Sequence, residues 1–155
     1  MQSIPNIIIP IIENKTSSNK NLRDELQNKR VIIFGVPGAF TPTCSEKHLP
    51  GFIKLYDRIR SSNIDDIYCL SVNDTFVMKA WLLDYTDNLK IKGIADGNGD
   101  ISKSLNLLVD KTKNFMGIRC TRFALIVNNN NIKKLFIEKP GELIVSSAEN
   151  ILDQL

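Results

Sequence analysis

"VIIFGVPGAFTPTCS", residues 31–45, sets a run of β-branched and aromatic side chains against two prolines, a small loop and a cysteine. Val31 to Val36 show no polar alternation, as a strand covered on both faces requires, and such strands belong to sheets with crossover helices. Pro37 ends the run. From Thr43 onward Leu49, Phe52, Ile53, Tyr56 and Ile59 recur at three- and four-residue spacing, the apolar stripe of a helix that Pro50 should kink. The strand therefore hands over to a helix at or beside Cys44.

The same alternation continues outward. "DIYCLSV" (66–72) reads as a second strand, residues 75–85 as a second helix, and "KGIAD" (92–96) as a third strand followed by a turn and a short helix. "RFALIV" and "KKLFIE" form a hairpin across "NNNN" (128–131), because Asn tolerates the left-handed backbone such a turn needs. Ser146 with Glu149 makes a capping box ahead of a last helix whose stripe is Ala148, Ile151, Leu152 and Leu155. "ENKTSSNK" (13–20) reads as a polar loop. The order βαβαβ then ββα predicts an α/β fold, a sheet flanked by helices. "DGNGD" (96–100) imitates the start of a calcium loop, but Ile101 and Leu107 stand where glycine and glutamate are required, so it reads as a turn.

Composition bounds the functional classes. The chain has 155 residues, 43% hydrophobic and 24% charged, which predicts one globular domain over 1–155. Its formal charge of +3 is spread without a block of like charge, so neither nucleic acid nor a membrane is expected as partner. Three cysteines at 44, 69 and 120 without a CxxC, and a single histidine, make neither a disulfide framework nor a zinc site; no metal is expected. This usage suits a reducing, intracellular compartment. "MQSIPNIIIPII" has two prolines and no basic region, unlike a signal peptide. An organelle, mitochondrion or plastid, remains open beside the cytoplasm if an upstream targeting segment has been removed.

Cys44 invites three readings: packing, metal binding or reaction. Cys69, embedded in "IYCLSV", fits a small buried hydrophobe. Cys44 has polar and turn-forming neighbours and sits where unpaired helix amides favour an anion. Bringing a thiol from its usual pKa of about 8.5 to about 6 takes about 3.4 kcal/mol, whereas a helix terminus supplies about 0.3–2 kcal/mol. A second positive group is needed, and Arg119 and Arg122 in "GIRCTRFALIV" are the candidates. His48, four residues past Cys44, suggests a Cys-His pair, but it lies a turn deeper beside Leu49 and reads better as a packing or surface residue.

Pro37, Thr41 and Cys44 stand in the spacing PxxxTxxC. Together with "HLPGF", "LSVND" and "RFALIV" they make a chain that resembles the peroxiredoxins, most closely the type-5 subfamily, over nearly its whole length. The resemblance implies a thioredoxin-like fold with a central mixed sheet, and thiol-dependent reduction of hydrogen peroxide and organic hydroperoxides without cofactor. It makes Cys44 the peroxidatic cysteine, Thr41 the hydroxyl that hydrogen-bonds thiolate and peroxide, Pro37 the shield of the pocket, and Arg122, just before Phe123, the cation, with Arg119 as auxiliary. It also implies a homodimer packed through loops beside the active site. Phe76 and Trp81 could supply apolar surface there, although Trp81 facing the core is an equal alternative.

One departure stands out. Type-5 members that resolve internally carry a second cysteine shortly before the last helix, where "GELIVSSAENILDQL" has Val145. This resembles a one-cysteine variant, whose Cys44 sulfenic acid is reduced by an outside thiol, glutathione with glutaredoxin, or thioredoxin. Cys120 is the remaining internal candidate, since strand alternation would set it on the same side as Arg122. Two other classes stay open: a peroxide-sensing relay module using the same cysteine, and a Cys-His hydrolase with His48 as base.

Overall fold

The computed structural model describes residues 2–86 and 88–155. Its frame is a seven-stranded mixed sheet whose strands lie in the order β2 (Thr16–Asn21), β1 (Ile8–Glu13), β5 (Lys92–Ala95), β4 (Asp66–Ser71), β3 (Arg30–Val36), β8 (Phe123–Asn128) and β9 (Asn131–Ile137). The centre is β3 (Arg30–Val36), with β4 (Asp66–Ser71) and β5 (Lys92–Ala95) running parallel beside it. On the other side β8 (Phe123–Asn128) and β9 (Asn131–Ile137) continue antiparallel. Every residue of β3 after Arg30 is buried, as its unbroken apolar run demands.

Strand alternation divides the core into two. Ile32, Phe34 and Val36 face a cluster containing Cys44, Phe52, Cys69, Trp81 and Ile151. Val31 and Ile33 face the other, with Tyr68, Leu70, Cys120, Phe123 and Leu125. The first cluster takes its side chains from α2 (Leu49–Lys54), α3 (Tyr56–Arg60), α4 (Thr75–Leu83) and α6 (Ala148–Asp153); the second takes them from α1 (Leu22–Leu26) and α5 (Asp100–Ser104).

Several expectations need correction. The segment read as a polar loop is strand β2 (Thr16–Asn21), paired with β1 (Ile8–Glu13), which docks on β5 through Ile11 and Ile12. A further two-stranded ribbon, β6 (Leu108–Asp110) with β7 (Ile118–Cys120), stands outside the main sheet. Pro50 does not kink the helix at its own position. Cys44–His48 forms a π-helical turn in which the Leu49 amide reaches the Cys44 carbonyl, α2 follows with Pro50 in its first turn, and the break comes at Leu55. Pro50 lacks the amide that would close the preceding α-turn, and the wider π-turn accommodates that loss. The last helix is capped by Ser147, whose hydroxyl accepts the Asn150 amide at 3.2 Å, and not by Ser146, which is engaged elsewhere.

The asparagine turn is as expected: Asn129 and Asn130 sit at φ 46° and 66° between β8 and β9, the double left-handed geometry of a two-residue hairpin loop. "DGNGD" is a turn and a cap. Buried Asp96 accepts from the Ile101 and Ser102 amides and the Ser102 hydroxyl at 2.8–3.1 Å, and Gly99 takes φ 72° at the start of α5.

Candidate active site

Cys44 opens the π-turn that follows β3 and the loop 37–43, and it is 1% exposed. Around it the fold fixes the backbone from several directions. The Ser45 amide donates to the Thr41 carbonyl at 2.9 Å, the Ser45 hydroxyl accepts from the Trp81 indole at 2.9 Å, and its carbonyl accepts from the Tyr85 hydroxyl at 2.6 Å. Trp81 therefore faces the core, 1% exposed, and holds the cysteine turn against α4, while Phe76 stays 85% exposed. Asn73 of "LSVND" anchors the loop before Thr41, accepting the Ala39 amide at 3.0 Å and the Ser71 hydroxyl at 2.5 Å. Phe40 sits at φ 62°, a left-handed conformation that costs a bulky residue about 1–3 kcal/mol and marks a constrained loop.

Arg122 arrives from β8. Gly35 of β3 pairs in register with Phe123, and a Cβ on Gly35 would lie 2.0 Å from the Phe123 ring, so glycine is what lets this ring close on the strand. The residue ahead of that ring, Arg122, sends Nη2 to the Cys44 sulfur at 3.2 Å and Nη1 to His48 Nδ1 at 2.9 Å. Arg119 does not reach the sulfur. It donates through Nε to the Met116 carbonyl at 2.9 Å, and its Nη1 lies 3.5 Å from the Pro37 carbonyl, bracing the loop.

The Thr41 hydroxyl donates to the Gly38 carbonyl at 2.6 Å. Its proton is thus committed to the loop rather than to sulfur, and its oxygen keeps lone pairs for a donor. Pro37, Thr41, Thr43 and Arg122 share a cavity of about 250 Å³, with Val109 and Met116 on its apolar side. A larger open depression of about 670 Å³ lies at the other end of the parallel strands, around Glu13, Tyr56, Asp66 and Lys92, and has no cysteine among its lining residues.

His48 packs as expected but is not at the surface. It is 1% exposed, tilted against Phe34 and Phe52 with ring centroids 5.0 and 5.7 Å away. Nε2 lies 2.9 Å from the Ser146 carbonyl and Nδ1 faces Arg122. Burial, then the Arg122 charge, pull its pKa down to about 3, against the opposing pull of Ser146 and Glu138. With both ring nitrogens engaged, His48 has no lone pair to offer Cys44, and the hydrolase reading falls away.

The other thiols differ from Cys44. Burial pushes Cys69 well above the usual thiol range. Cys120 is also fully buried, donates to the Val36 carbonyl at 3.1 Å, and is pushed up to about 12 by burial and then by Asp96. The expected shared side with Arg122 does not hold. The strand ends at Cys120 and the next begins at Phe123, so alternation is not carried across the gap, and Cys120 packs in the core opposite to that of Cys44. Val145 lies two residues before the Ser147 cap and is 36% exposed.

The geometry agrees with comparisons to known proteins. The redoxin family matches residues 2–152. Peroxiredoxin-2D of Arabidopsis thaliana is 46% identical over 143 residues, covering 92% of this chain and 88% of its own. The reduced Prx3 of Vibrio vulnificus, solved in complex with hydrogen peroxide, superposes with a TM-score of 0.91 at 38% identity, covering 99% and 96% of the two chains. The Plasmodium falciparum antioxidant protein, a 1-Cys peroxiredoxin, gives 0.91 and 38% with 99% and 95% coverage. The mixed sheet with its flanking helices is thus the thioredoxin-like fold of these relatives.

Proposed function

The chain belongs to the redoxin family, as a peroxiredoxin of the type-5 kind, and from that premise we propose that it reduces hydrogen peroxide and organic hydroperoxides with Cys44 as the attacking nucleophile. The observation that carries this reading is the 3.2 Å contact from Arg122 Nη2 to the Cys44 sulfur. A guanidinium can only donate, so the form of Cys44 it favours is the thiolate. The thiolate attacks one peroxide oxygen, a sulfur–oxygen bond forms as the oxygen–oxygen bond breaks, and sulfenic acid is left with an alkoxide or hydroxide that takes a proton from water. Charge moves from sulfur to the leaving oxygen, and a donor already in place stabilises it without reorganisation. Thr41 accepts the peroxide hydrogen through its free lone pairs, Pro37 shields the thiolate, and Arg119 keeps the loop in place. The whole of 1–155 works as one such domain.

The cycle closes through an outside thiol, glutathione with glutaredoxin or else thioredoxin. Val145 at the position of the internal resolving cysteine supports this, as does likeness to a 1-Cys peroxiredoxin. A homodimer is part of the reading, supported by Phe40 at 55% and Phe115 at 99% exposure in loops beside the cavity. Sedimentation at micromolar protein should show a dimer; a monomer alone refutes it. The cycle is tested by a non-reducing peptide map after one equivalent of peroxide, with and without glutathione. We expect Cys44 sulfenic acid alone, then a Cys44–glutathione disulfide that glutaredoxin removes with multiple turnovers. A Cys44–Cys120 disulfide supporting turnover with thioredoxin would replace the mechanism, and single turnover without recycling would favour a peroxide-sensing relay.

A further inference from the structure

Arg122 holds Cys44, and the buried groups behind it hold Arg122. Its Nη1 lies 2.9 Å from His48 Nδ1. Since the guanidinium donates, Nδ1 presents a lone pair and the ring proton sits on Nε2. Nε2 in turn lies 2.9 Å from the Ser146 carbonyl, which can only accept. One neutral tautomer satisfies both contacts; the other satisfies neither. The position of the Ser146 carbonyl is fixed by Glu138, whose Oε2 accepts the Ser146 amide at 2.9 Å, the Ser146 hydroxyl at 2.7 Å and the Ile144 amide at 2.6 Å. Glu138 is 5% exposed and Ser146 fully buried. Burial alone would push this carboxyl up, but the bonds from Ser146, Ile144 and Val145 hold it below the usual range, as a carboxylate. Its charge and that of Arg122 are the two that act on His48.

We propose that Glu138 is a positioning residue for the peroxidase reaction: by fixing the Ser146 carbonyl it selects the Nε2–H tautomer of His48, whose free Nδ1 keeps the Arg122 guanidinium turned toward the Cys44 sulfur. The proposal rests on the Cys44–Arg122 reading above. It also joins the segment 144–146 to the π-turn Cys44–His48, since His48 closes that turn while bonded to Ser146. An incoming thiol reaches a sulfur that is 1% exposed only when this turn opens, so the clamp that speeds the peroxide step restrains the thiol step.

The single histidine of the chain makes the test free of assignment. In protein labelled with ¹⁵N-histidine, the wild type should show Nε2 protonated and Nδ1 bare, unchanged from about pH 8 to about pH 5, a range in which an ordinary histidine titrates. Glu138→Gln, which keeps the shape and removes the charge, should show mixed tautomers. Its peroxide step should slow by roughly tenfold, the size of one lost hydrogen bond to a charged group, while glutathione attack on oxidised Cys44 is unchanged or faster. A merely structural role would slow both steps together. A wild-type spectrum with the proton on Nδ1 overturns the proposal whether or not the variant folds, and so does a Glu138→Gln variant with wild-type tautomer and an unchanged ratio of the two steps. Failure of the underlying reading looks different: wild-type protein that consumes no peroxide, with the histidine spectrum as expected.

Discussion

Cys44 and Cys120 are both buried thiols with a side-chain hydrogen bond of about the same length, yet the two bonds run in opposite directions. The partner of Cys44 is a guanidinium at 3.2 Å; that of Cys120 is the Val36 carbonyl at 3.1 Å. A donor favours sulfur without its proton, and an acceptor requires the proton to stay. At Cys120 burial adds to this by pushing the thiol up. On the proposed reading, what separates Cys44 as nucleophile from Cys120 as packing residue is the direction of a hydrogen bond, delivered by Arg122 on one face of the sheet and by the end of β3 on the other.

The contrast can be broken most severely at sulfur. Cys44→Ser should abolish peroxide reduction while circular dichroism and melting stay close to wild type; retained activity contradicts the assignment. Arg122→Gln comes next. Loss of a preorganised donor at a developing charge costs about 10²–10³ in rate, and rapid-mixing oxidation should show this even at alkaline pH, where thiolate population no longer limits. A wild-type rate there would contradict the role given to Arg122. Thr41→Val removes both the bond to Gly38 and the acceptor for the peroxide; the latter, a neutral hydrogen bond worth about 0.5–1.5 kcal/mol, should slow the peroxide step by about two- to tenfold when lost.

The packing thiols sharpen the comparison in stability rather than rate. Cys69→Ser buries a hydroxyl among apolar side chains and should cost about 1–3 kcal/mol in denaturant unfolding. Cys120→Ser keeps a donor for Val36 and should cost less; the reverse order would contradict the hydrogen bond assigned to Cys120. His48 adds a pH dependence of smaller reach. Its folded pKa, about 3, lies below the unfolded value of about 6.5, so between them the unfolded chain binds the extra proton and stability falls as pH falls. The slope approaches about 1.4 kcal/mol per pH unit within that window, and His48→Gln should lose that part of it.

How much of this was legible depended on whether the cause was local. Val31–Val36 announces a central strand because burial on both faces leaves no polar position, and Asn129–Asn130 announces its hairpin because few residues accept a positive φ. Thr16–Asn21 is a strand too, but an edge strand with exposed, polar residues carries no apolar period and reads as loop. Ser146 and Ser147 are neighbours of the same type, and only the distant Glu138 decides which of them caps the helix. A motif proposes Cys44, Thr41 and Arg122 as site residues, and the fold brings Arg122 to the Cys44 sulfur. The roles of His48, Asn73 and Trp81 depend on contacts spanning 74, 34 and 36 residues of chain, which no local pattern records.

The central claim, that a donated hydrogen bond and not burial makes one of three buried thiols reactive, is met most directly by mapping sulfenic acid. Folded protein is treated with one equivalent of hydrogen peroxide, trapped with a sulfenate-specific carbon nucleophile and digested for mass spectrometry. The label should fall on Cys44 alone in wild type and in a Cys69→Ser/Cys120→Ser double variant, and Arg122→Gln should take it up far more slowly. Label on Cys69 or Cys120 at a comparable rate, or equal labelling of Cys44 without the guanidinium, would contradict the account.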